Sequence, residues 1–156
     1  GSGLFHALPN RLTQAGDVIP IAAFVGTCLL YYFRDRARMK QEFKQPLITS
    51  LSFLLLLPVL ARVTGLDLFL AKGEFYLGII PAILILARYE NDRDKKRSLL
   101  TAAFFFLSAF ACRTLDPYLC ELWPRGTHFL WHILTAGAAY AAASLQFSKS
   151  DQTAAP

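Results

Sequence analysis

Apolar residues gather in five dense blocks, at 18–33, 47–61, 75–87, 99–111 and 129–145, with charged clusters between them. Within a block the apolar residues do not keep to one face, as they would on a soluble amphipathic helix. That pattern reads as membrane spans joined by short loops. A stub, LFHAL at 4–8, precedes the blocks and reads as the tail of another helix, ended by Pro9 and Asn10.

A full crossing takes about 20 residues at about 1.5 Å rise each. The third and fourth blocks reach that length only with their flanks. Lys72, Arg88, Lys96 and Arg97 can snorkel there, and Tyr76 and Tyr89 suit the interfacial belt. Pro20, Pro58 and Pro81 fall inside blocks, where neighbouring helices in a membrane tolerate such breaks. The expected fold is all-α: a multi-pass transmembrane helical bundle of five full helices plus the stub, over residues 1–147. Residues 148–156 form a polar tail.

Composition strengthens this picture. Of 156 residues, 54% are hydrophobic and 17% charged, against about 25% charged in soluble domains. The net charge of +5 sits mainly in two loops, 34–44 and 88–97. Alternating crossings put both loops on one side, and the less basic connections 9–16, 62–74 and 113–125 on the other. Charge bias then assigns the basic loops and the C-terminus to the cytoplasmic face. This placement argues for membrane lipids as surroundings and against nucleic acid as a partner. Cys28, Cys112 and Cys120 show no CxxC spacing, which gives no support to a thiolate zinc site or disulfide framework. The opening GSG lacks the basic and apolar regions of a signal peptide.

Candidate chemistry lies at the non-cytoplasmic ends. His128 and His132 stand four apart at the head of the fifth block, so both face one side of a helix and can contact one ion. Zinc takes imidazole nitrogen, and a catalytic site uses three protein ligands plus an open position. The third histidine of the chain, His6, closes the stub at the same depth. Asp17 heads the first block, and Ser2 lies four residues before His6. A carboxylate at the membrane end of an apolar helix is a functional candidate, or else a dipole-stabilised helix N-terminus.

Three further features take simpler readings. Asp116-Pro117 reads as a turn between the fourth and fifth blocks, and Trp123 and Trp131 as interfacial anchors. Glu90, Asp92 and Asp94 read as a solvated charge cluster.

The segments GSGLFHALPNRLTQAGDVIPI and RTLDPYLCELWPRGTHFLWHILTA resemble the alkaline ceramidase family. That family belongs to a superfamily of seven-helix membrane hydrolases that includes the adiponectin and progestin receptor relatives. Ser2 and His6 four apart, Asp17 eleven further on, and the late His128 and His132 match the family pattern. The resemblance implies zinc bound by His6, His128 and His132, with Asp17 deprotonating the water and Ser2 hydrogen-bonding the water or the oxyanion. It implies cleavage of ceramide-like amides to a fatty acid and a sphingoid base. It also implies seven helices preceded by an acidic segment associated with calcium. The chain is therefore expected to be the C-terminal part of a longer protein, with any calcium ligands outside it. A receptor-like or scaffold membrane protein with a structural zinc is the alternative reading.

Overall fold

A computed structural model of the chain describes residues 8, 10–38, 42–70, 73–120, 122–124 and 126–147. The chain divides into two compact units, residues 1–41 and 42–156.

The first unit contains α1, Arg11–Arg38, a helix of 28 residues. It begins seven residues ahead of the apolar block because Asn10 caps it. The Asn10 Oδ1 accepts from the amides of Leu12 and Thr13 at 2.9 and 3.0 Å. In return the Thr13 hydroxyl accepts from the Asn10 amide at 3.1 Å, a reciprocal box that satisfies donors left over at a helix start. Near the other end, Arg36 donates to the Tyr32 hydroxyl at 3.1 Å, one turn away.

The second unit runs through α2 (Lys44–Val63), α3 (Leu66–Phe69), α4 (Glu74–Leu77), α5 (Ile79–Tyr89), α6 (Arg93–Leu119) and α7 (His128–Ala143). A 3₁₀ turn, Ser144–Phe147, follows. No strand occurs among the described residues. After α2 the chain turns through Gly65 at φ 75°, the left-handed conformation that favours glycine. α6 packs along α5 and α7, and α2 packs against α4 and α5.

Three helices, α1, α2 and α6, are long and apolar enough to cross a membrane. Their side-chain distribution suits lipid better than water. On α2, Ile48, Leu51, Leu55, Leu56 and Val59 are exposed while Ser50 and Ala61 are buried. On α6, Leu100, Phe104, Leu107 and Leu115 face outward while Ala102, Ala103, Ala109 and Thr114 face inward. Leu99, Phe106 and Phe110 of α6 are buried too, so size alone does not sort the faces; what suits hydrocarbon is the number of large apolar side chains left outside.

The other two blocks form shorter elements. The third is split at Gly78 into α4 and an 11-residue α5. Pro81 lacks the amide that would bond back to the Leu77 carbonyl, which accounts for the break, and Gly78 lets the joint approach α2, since a Cβ there would lie 2.7 Å from the Leu54 Cα. The fifth block gives α7, of 16 residues, with the 3₁₀ turn continuing it.

The core joins Ala61, Leu70, Phe106, Ala109, Phe110, Trp131 and Ala138, with Tyr76 and Leu134 packed on it. Trp131 is thus a core residue and not the interfacial anchor its sequence position suggested. Its ring lies 5.0 Å from Tyr76 and 5.8 Å from Phe106 between centroids. Of the charge cluster read as solvated, Asp94 is exposed and Asp92 half-buried, but Glu90 is buried, as is the neighbouring Lys95. Glu90 Oε1 accepts from the amides of Asn91 and Asp92 at 2.9 Å. Asp92 in turn caps α6 by accepting from Asp94 and Lys95 amides.

Gly78→Ala places a methyl against the α2 backbone, which has no rotamer to yield. It is expected to lower stability by about 2 kcal/mol, read as a drop in the unfolding midpoint of the detergent-solubilised protein.

Candidate functional site

The head of α7 is built by a carboxylate from another helix. Thr127 occupies the N-cap position, but its side chain makes no cap bond to α7. Its hydroxyl instead donates to the Cys112 carbonyl of α6 at 2.7 Å. The capping task passes to Asp116 of α6. Asp116 Oδ1 accepts a short hydrogen bond from the Thr127 amide and another, at 2.8 Å, from the His128 amide. A carboxylate there satisfies two donors left over at the helix start and sits at the positive end of its dipole.

This reverses the turn reading of Asp116-Pro117. Both residues lie inside α6, which continues to Leu119. Proline removes one helix hydrogen bond, and here the helix ends two residues later, so little ladder is left to break. Gly126, at φ 60°, makes the return into α7, and a Cβ on it would collide with Asp116 Oδ1 and lie 3.0 Å from Cys120 Sγ.

Asp116 thereby fixes where the histidines stand. His128 and His132 lie one turn apart with ring centroids 5.1 Å apart and planes at 71°. The second oxygen of Asp116, Oδ2, lies 4.0 Å from His128 Nδ1. His132 is exposed, on the same stripe of α7 as Phe129, Ile133 and Tyr140, which are exposed too. Behind α7, half-buried Arg113 lies 5.5 Å from the Tyr76 ring and 5.9 Å from the Trp131 ring. Its Nη1 donates to the Leu70 carbonyl at 3.3 Å. The bare Cα of Gly73 leaves room for that guanidinium.

Of the residues expected in the site, the structure brings His128 and His132 together. Ser2 and His6 lie outside the described residues. Asp17 falls in the second turn of α1, and its side chain is also outside the description. Among the described residues no group of three histidine, cysteine or carboxylate side chains is arranged to hold a metal. The pair nevertheless fits a zinc site in two respects. Two imidazoles a helical turn apart converge on one side, and a carboxylate stands on the Nδ1 side of one of them, as in sites where a second group orients a ligating histidine.

Asp116, Thr127 and Arg113 were not read as site residues from the sequence. Asp116 lies 12 residues before His128, so no local spacing marks the contact; it exists only because α6 and α7 pack antiparallel.

No family model, curated protein or solved structure matches this chain.

Asp116→Ala is expected to lower stability by about 2 kcal/mol and to speed amide exchange at Thr127 and His128, since the cap is lost. Asp116→Asn keeps an acceptor oxygen and is expected to cost less than about 1 kcal/mol. Amide hydrogen exchange with a denaturation midpoint checks both.

Proposed function

We propose that this chain belongs to a zinc-dependent membrane amidohydrolase of the alkaline ceramidase type, with the seven-helix architecture of that superfamily. Its substrates are ceramide-like N-acyl sphingoid lipids, cleaved to a fatty acid and a sphingoid base. The observation that carries the reading is the His128–His132 pair, 5.1 Å between ring centroids, at the head of an otherwise apolar helix. Ionisable side chains in such a helix are expensive to keep without a task.

His6, His128 and His132 would hold the zinc, which supplies Lewis acidity and an acidified water at that position. Asp17 accepts a proton from the attacking water and returns it to the leaving nitrogen, because an amide nitrogen departs readily only once protonated. Ser2 donates a hydrogen bond to the carbonyl oxygen as negative charge builds on it. Asp116 is a positioning residue. It fixes the backbone of 127–128, from which His128 projects. Apolar walls of the bundle suit the acyl chain, and His132 lies on the exposed stripe of α7.

Zinc content and hydrolysis of an N-acyl sphingosine by the purified, membrane-reconstituted protein test this. His128→Ala and His132→Ala are each expected to lose both metal and turnover. Asp17→Asn is expected to keep the metal and lose about a hundredfold or more in kcat. Normal zinc and normal turnover in His128→Ala rule the reading out. Zinc without amide turnover in the parent protein points to the receptor-like or scaffold alternative.

A further inference from the structure

The first three turns of α6 carry a feature that the hydrolase reading does not use. Arg93, Lys96, Arg97, Leu100, Thr101 and Phe104 line an open groove of about 510 Å³. Their spacings from Arg93 are three, four, seven, eight and eleven, so all six share one face of the helix. The three cations form its head, and Leu100 and Phe104, 46% and 67% exposed, form its apolar body. Lys95, from the opposite side of the helix, is buried with Leu99, Ala102 and Ala103. The groove is therefore on the outward face of α6, at the end that charge bias assigns to the cytoplasmic side.

We propose that this face binds an anionic phospholipid of the surrounding leaflet, with the phosphate among Arg93, Lys96 and Arg97 and an acyl chain along Leu100, Thr101 and Phe104. Charge complementarity selects the head. Three cations within one helical turn give a compact positive site for one phosphate group, and basic clusters at this depth attract anionic lipid. The apolar continuation selects a lipid over a free anion. From Arg93 to Phe104 the stripe runs about 16 Å along the axis, the extent of a headgroup followed by the first part of an acyl chain. A free phosphate has no use for the lower half, and a soluble polyanion would need its cations spread along the surface. The inference does not depend on the zinc site, because no residue of the His128 region takes part.

The full chain, reconstituted in nanodiscs of phosphatidylcholine with a minor fraction of phosphatidylglycerol carrying a diazirine on its acyl chain, provides the test. Photolabelled positions are mapped by mass spectrometry. Label is expected to concentrate on Leu100, Thr101 and Phe104. The triple variant Arg93→Gln, Lys96→Gln, Arg97→Gln is expected to reduce that label on the order of tenfold. Removing the exposed Arg34 and Arg88 as Arg34→Gln, Arg88→Gln is expected to leave it unchanged. Label on Leu55 and Leu56 of α2 serves as the internal reference, and its persistence in the triple variant shows that the fold is retained. In a second variant, Leu100→Ala with Phe104→Ala, the cations stay and the label is still expected to fall. Even labelling over the exposed faces of α2 and α6 overturns the proposal, as does an equal loss in both charge variants. Two further outcomes overturn it: displacement of the lipid by equimolar inorganic phosphate, and absence of label because a protein segment covers the stripe.

Discussion

The Asp116 carboxylate is the interaction on which the arrangement of this unit turns. A helix start presents amide donors that water would satisfy in a soluble protein. Where the helix start is buried, as at Thr127, unmet donors cost on the order of a few kcal/mol. Thr127 is spent on the Cys112 carbonyl, so the donors of α7 are met from α6. One oxygen thereby ties two helices together at their heads and fixes the height and rotation of α7. The direction in which His128 and His132 project follows from that rotation. Its other oxygen lies 4.0 Å from the His128 Nδ1, beyond hydrogen-bond distance, so the cap is its structural task.

Below this tie the core combines small residues, which let backbones approach, with the aromatic side chains Phe106, Phe110 and Trp131. α6 presents Ala102, Ala103 and Ala109 inward, and Gly78 lets the α4–α5 segment meet the α2 backbone. Close backbones leave little room for polar groups, yet several are present. Glu74 is 2% exposed, and its Oε1 lies 3.4 Å from Arg62 Nη2. Arg113 is laid over Tyr76 and Trp131. These charges sit near the ends of α2 and α6, where long side chains can reach a polar boundary while their stems cover apolar surface.

The helical character of the chain was legible from its apolar blocks, and the shared face of His128 and His132 from their spacing, because both follow from local geometry. Block boundaries were less legible. α1 starts at Arg11 because of the Asn10–Thr13 box, and α6 starts at Arg93 because of Asp92, so charged residues that looked like loop belong to helices. The readings of Asp116-Pro117, Trp131 and Glu90 failed for one common reason. Each residue type is usually found at a surface or turn, and each is placed here by a partner distant in sequence or by the way helices cross. A single unaligned sequence carries no local mark of such partners. The proposed ligation by His6 and the role of Asp17 rest on the sequence pattern, since these side chains fall outside the described residues.

α6 and α7 are tied at both ends. Asp116 meets His128 at one end, and the Ser144 hydroxyl donates to that of Ser98 at 3.2 Å at the other. From Ser98 to Asp116 the helix rises about 27 Å, while the charged residues 93–97 overhang beyond the lower tie. The pair is therefore held in one register, because a hydrogen bond near each end of the shared stretch has to break before either helix moves along the other. Two hydrogen bonds in this way make α6 and α7 move as one piece, so a shift of His128 has to carry α6 with it.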